Sequence, residues 1–140
     1  MRILLALDGS EFSLKAAQYI VAHRDAFRRK LQPTLLYVDA PFVERAETVY
    51  GRGGVEREHE QNAQAAFAGA IAVLEGAGVR YETRMLVGDP GLAIAGHARD
   101  GGYDMIVMGS HGHGALSGLV LGSAVTKVLA ACKVPVLVVR

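Results

Sequence analysis

The strongest constraint on this chain is an alternation of two hydrophobic periods along its 140 residues. Short continuous apolar runs, "RILLAL", "PTLLYVDA", "DMIVM" and "VPVLVV", are separated by longer stretches in which apolar residues recur every three or four positions. A run of Val, Ile and Leu without polar alternation suits a strand buried on both faces. Such strands need helices above and below a parallel sheet. "VRYETRMLV" does alternate, which puts it nearer a sheet edge. The expected fold is α/β: one open, doubly wound, Rossmann-like domain over residues 1–140, with five parallel strands and helices on both faces.

Local signals punctuate this pattern. Ser10, in the turn "DGS", is placed to cap a first helix whose face carries Phe12, Ala16, Ile20, His23 and Phe27, with His23 packed at the core edge. A long connection runs from Pro41 to Gly54, as a flap or a plain exposed loop. A second helix is expected from near Val55, with Ala63, Ala66, Phe67, Ala70, Ile71 and Leu74 as its apolar stripe and "GAG" as its end. Asp89 caps a third helix and Pro90 takes its first position. A fourth spans Ser123 to Ala131. His59 and His97 read as ordinary surface residues on helices.

Composition removes several function classes. A formal charge of +1 leaves no electrostatic footprint for nucleic acid, and the basic run "HRDAFRRK" reads as a solvated helix end. The first apolar run stops at Asp8, too short for a signal peptide, and no window is long enough to span a bilayer. The lone Cys132 excludes an internal disulfide and fits a reducing compartment as a small buried hydrophobe. A cytoplasmic single domain without membrane partners is the expectation.

In open α/β sheets, ligands settle beyond the carboxyl ends of the strands where the winding reverses. Here those ends are "DGS" (Asp8, Gly9, Ser10) and "GSHGHG" (Gly109, Ser110, His111, Gly112, His113, Gly114). Glycine lets successive N–H groups line one hollow and lets an anion approach closely. A helix starting at Ser123, with Gly122 before it and Ala124 after it, adds unpaired amides and the positive end of its dipole. Three or four charge-assisted hydrogen bonds of roughly 1.5–3 kcal/mol each approach the ~8 kcal/mol of micromolar binding. Asp8 could cap a helix or touch a ligand. His111 and His113 could suit a metal but lack an evident third ligand, and they read better as side chains flanking phosphates. A Walker A loop would need Lys where Ser123 is followed by Ala124, and "GHGALS" lacks the third glycine of a dinucleotide fingerprint.

The spacing Gly109-x-x-Gly112-(nine residues)-Gly122-Ser123, set in "DMIVMGSHGHGALSGLVLGSAVTKVL", resembles the ATP-binding signature of the universal stress protein family. "ALDGSEFSLKAA" is similar to that family's first strand and turn, so the resemblance spans nearly the whole chain. It implies strand order 3-2-1-4-5, a cytoplasmic homodimer joined through the last strand, and unnamed regulatory protein partners. It also implies ATP, with Mg²⁺ able to neutralise the triphosphate. Asp8 and the Val38 backbone would hold the adenosine, and the glycine signature with its serine would hold the phosphates. Gly118 departs from relatives that carry a basic residue there, which leaves the backbone with more of the phosphate charge. The leading expectation is an ATP-binding regulatory protein of the stress response. The alternatives are a slow ATPase or phosphotransfer enzyme, for which only Ser110, His111, His113 and Ser117 are at hand, and a nucleotide-free interaction protein.

Overall fold

A computed structural model describes residues 1–27, 31–42, 51–113 and 121–140. Five strands form one parallel sheet: β1 (Ile3–Leu7), β2 (Thr34–Asp39), β3 (Glu82–Val87), β4 (Met105–Gly109) and β5 (Val136–Val139). Their order is β3-β2-β1-β4-β5, as the sequence resemblance implied. Among the described residues the helices are α1 (Glu11–Ala22), α2 (Arg52–Gly76), α3 (Pro90–Asp100) and α4 (Ser123–Ala131), with a 3₁₀ turn at Arg24–Ala26.

The pleat explains the double winding. On β1, Ile3, Leu5 and Leu7 enter a cluster with Ala16, Ile20, Phe67 and Leu74 of α1 and α2. Leu4 and Ala6 enter a second cluster with Ile94 and Ala98 of α3 and Val125 and Val128 of α4. Alternate side chains of one strand thus supply two cores, one on each face. All five residues of β1 are buried. Cys132 packs against the second cluster but is half-buried rather than fully enclosed, because α4 ends just before it.

The two sheet edges differ. On β3, Glu82 and Arg84 are exposed and paired at 3.4 Å, and charge on an edge strand discourages further pairing. On β5, Val136, Leu137, Val138 and Val139 are all half-buried.

Helix ends follow their side chains where a cap exists. Ser10 caps α1 by accepting from Ser13 N at 3.2 Å. Asp89 caps α3 by accepting from Leu92 N at 3.1 Å, and it also pairs with Lys127 of α4. Two boundaries depart from the sequence expectation. Helix α2 begins at Arg52, before Val55, on a glycine N-cap with no capping side chain. Helix α1 ends at Ala22, so His23 is exposed and stacks on Tyr19 at 4.1 Å instead of packing at the core edge. There the chain turns into the 3₁₀ segment, and the basic run is exposed from residue 23 to residue 26. His97 of α3 is half-buried, not a plain surface residue, with its ring 5.6 Å from that of Tyr103.

Candidate functional site

Register brings the candidate residues into line. Leu7 of β1 pairs with Tyr37 of β2, and Ala6 pairs with Met108 of β4. One step beyond the first pair and two beyond the second, Asp8, Val38 and Ser110 fall abreast at the carboxyl ends of three adjacent strands. β1 stops at Leu7 while β2 runs on to Asp39 beside β3, so the sheet opens next to Val38.

The turn after β1 is tightly specified. Gly9 adopts φ +80, and a Cβ there would lie 3.2 Å from Ala66 Cα of α2 and 3.7 Å from His113 Nε2. Ser10 N donates to Asp8 Oδ1 at 2.9 Å, while Ser10 Oγ and its carbonyl are taken up by Ser13. The Ser10 hydroxyl oxygen and carbonyl thus both serve as acceptors at the start of α1. Asp8 Oδ2 has no hydrogen-bond partner among the described residues.

The loop after β4 is pinned at several points. Ser110 is fully buried; its N–H donates to Val139 O at 2.7 Å, and its carbonyl accepts from Gly122 N at 2.9 Å. Ser110 Oγ is hydrogen-bonded to His111 Nδ1 at 3.0 Å, and the His111 ring lies 5.1 Å from Phe12. His113 Nε2 donates to the Asp8 carbonyl at 2.8 Å, tying the glycine loop to the turn after β1. Ser117 and Gly118 lie outside the described residues.

The signature glycines also have a packing role that the sequence did not suggest. None of Gly109, Gly112 and Gly122 has positive φ. Each is small because something else occupies the space of a side chain. A Cβ at Gly109 would stand 2.6 Å from the Phe12 backbone carbon, and one at Gly112 2.6 Å from Asp8 Oδ2. At Gly122 it would stand 3.2 Å from His111 Cα and 3.3 Å from Ser110 O. Bare backbone is used here to press α1, Asp8 and the start of α4 against the loop.

That packing places Gly112 N beside the first turn of α4. Gly122 is the N-cap and offers no side chain to the helix. The first capturing bond is Thr126 N to Gly122 O at 3.0 Å. Among the described residues, the amides of Gly112, Ser123, Ala124 and Val125 have no hydrogen-bond partner. No acidic residue sits in the helix's own first turn, which leaves the positive end of the dipole without a compensating charge from α4 itself. Among the described residues no group of three His, Cys, Asp or Glu side chains is arranged to hold a metal ion.

A second polar group adjoins this row, and the sequence reading missed it. Asp39 Oδ2 accepts from His59 Nδ1 at 2.9 Å and from Asn62 Nδ2 at 2.9 Å. Its Oδ1 accepts from Tyr37 Oη at 3.0 Å and from Ala40 N at 3.0 Å. Burial pushes the Asp39 carboxyl up, but the bonds from Asn62, His59 and Tyr37 outweigh it and hold the group below its ordinary 3.8. Burial, then the carboxylates of Asp39 and Asp8, push the Tyr37 phenol from 10.0 up to about 12. His59 is buried, not an ordinary surface residue, with Phe42 tilted over its ring at 4.7 Å. The available signal was its spacing: His59, Asn62 and Ala66 share one face of α2.

A sequence model of the universal stress protein family matches residues 1–140. A universal stress protein of Thermus aquaticus is 34% identical over 144 residues, covering 99% of this chain and 97% of that protein. The solved structure of the protein MJ0577 superposes with a TM-score of 0.79 at 29% identity, covering 99% of this chain and 94% of that one. A universal stress protein solved in complex with cAMP superposes at 0.61 with 25% identity, covering 100% and 96%. Some relatives are longer: a match of 71 residues, 41% identical and covering 51% of this chain, takes in 25% of the Synechocystis protein Slr1230. The match over every strand and helix, together with full-length identity to the Thermus protein, makes this chain a member of the universal stress protein family.

Proposed function

We propose that this chain is an adenine-nucleotide-binding regulatory protein of the stress response, with ATP as its ligand. The carrying observation is that, among the described residues, the amides of Gly112, Ser123 and Ala124 have no partner and lie at a helix start with no side-chain cap and no acidic residue in its first turn. Such a start is an anion site by dipole and by geometry. Three charge-assisted bonds from these amides would contribute roughly 4.5–9 kcal/mol before ordering costs, a large share of the ~8 kcal/mol that micromolar binding requires. The Ser123 hydroxyl adds a further donor.

Asp8 has a separate role. Its carboxylate repels phosphate, so it belongs at the sugar, where Oδ2 accepts a hydroxyl proton, with the Val38 backbone beside it. The complex of a related family member with cAMP supports an adenine nucleotide as the ligand. Mg²⁺ enters as a counter-ion on the triphosphate's own oxygens, in keeping with a cation that keeps its waters and takes few protein ligands. The proposed setting is the cytoplasm. The proposed assembly is a homodimer through β5, whose apolar edge is covered when two copies pair along it.

The test is to denature purified protein, identify the released nucleotide, and incubate the remainder with ATP and Mg²⁺. Adenine nucleotide retained without turnover supports the proposal, and rapid ADP formation would replace it with a phosphotransfer enzyme. No bound nucleotide and no thermal shift with ATP would refute it.

A further inference from the structure

We propose that Asp39, gripped by Tyr37, His59 and Asn62, is a positioning residue that presets the nucleoside end of the pocket and so sets selectivity for a nucleotide over a bare phosphate chain. This rests on the nucleotide reading above.

Asp39 directly follows Val38, and its side chain is only 13% exposed, as that of His59 is only 9%. Four donors from two elements saturate its two oxygens: Tyr37 Oη and Ala40 N on one, His59 Nδ1 and Asn62 Nδ2 on the other. The Asp39 carbonyl accepts from Gly88 N at 2.8 Å, so the backbone is held as firmly as the side chain. Asp39 thereby bolts the end of β2 to α2.

The same helix face carries Ala66, whose Cα lies 3.2 Å from where Gly9 would bear a Cβ. One rigid helix thus seats both the end of β2 and the turn that presents Asp8. Asp39 therefore fixes the separation of Val38 and Asp8, the two nucleoside contacts. It makes no described contact with the loop from Gly109 to His113 or with α4, so its effect on phosphate capture is indirect and smaller than its effect on the nucleoside contacts.

The test compares two probes by calorimetry on the full chain: ATP and inorganic tripolyphosphate. Asp39→Asn turns one oxygen into an amide that opposes the donors of His59 and Asn62. ATP affinity should fall on the order of tenfold or more while tripolyphosphate affinity changes less than twofold. The exchange Asp39→Asn with Asn62→Asp restores a carboxylate–amide pair in reversed order and should recover most of the ATP affinity. Asn62→Ala removes one donor and carries the same comparison if Asp39→Asn does not fold. A parallel loss for both probes, or unchanged ATP affinity in a folded variant, overturns this role and leaves nucleotide binding standing. Wild-type protein that binds tripolyphosphate as tightly as ATP also overturns it, and wild type that binds neither overturns the nucleotide reading itself.

Discussion

Replacing Gly112 by alanine separates the binding role of the glycine loop from its packing role. The backbone at Gly112 does not have positive φ, so a side chain brings no conformational strain. The new Cβ would stand 2.6 Å from Asp8 Oδ2, against the 3.4 Å at which contact becomes ordinary. The obstacle is the end of a rotatable side chain, so Asp8 swings aside and the fold survives. What is lost is the 2.9 Å bond from Ser10 N to Asp8 Oδ1, a partly exposed interaction worth about 1 kcal/mol. The ligand loses more. With Asp8 displaced, a charge-assisted bond of about 1.5–3 kcal/mol disappears, so ATP affinity should fall roughly ten- to hundredfold. Titration calorimetry with ATP gives the affinity, and denaturant unfolding gives the stability. A double-mutant cycle with Asp8→Ala makes the reasoning refutable, because Gly112→Ala should cost almost nothing once the carboxylate is gone. If Gly112→Ala weakens ATP binding equally in both backgrounds, the steric route through Asp8 is wrong.

Gly109→Ala should behave oppositely. Its Cβ meets the Phe12 backbone, which cannot rotate away, so thermal unfolding should show a loss of about 1–3 kcal/mol whether or not nucleotide is present. Asp39 has a depressed folded-state pKa, so its stabilisation is complete above the ordinary 3.8 and drains away as pH falls toward the lower folded value. Melting curves across that acid range should show a steeper loss of stability in wild type than in Asp39→Asn. Tyr37 is shifted the other way: its stabilisation is complete below 10.0 and lost as pH rises through about 12, so absorbance titration should show a late-ionising phenol near that pH that is missing in Tyr37→Phe. Light scattering at micromolar concentration should give the mass of two chains, and a clean monomer would refute pairing through β5.

The architecture is legible in the sequence because its determinants are local. The uninterrupted apolar run of β1 announces burial on both faces, and the alternation in "VRYETRMLV" announces the edge that β3 occupies. Asp89 and Pro90 mark the start of α3 because a cap acts over three residues. Legibility fails where contacts span the chain. His59 reads as surface because its partner Asp39 is 20 residues away, and no helical period encodes a carboxylate on a neighbouring strand. Spacing finds the glycine signature but not the reason for it. Gly109 is small for Phe12 and Gly112 for Asp8, and only the tertiary structure reveals those neighbours. The hydrophobic period overshoots the end of α1 because Phe27 continues it after the backbone has left the helix.

The exposed Glu82–Arg84 pair bears on stoichiometry. Two chains laid side by side along β5 would make one continuous sheet with a β3 strand at each outer margin. Those margins carry ions that must be stripped of water before another chain can add, whereas the seam between the copies carries none. With such pairing, growth would therefore terminate at two, and a surface that could seed a filament would instead be closed off in a finite particle.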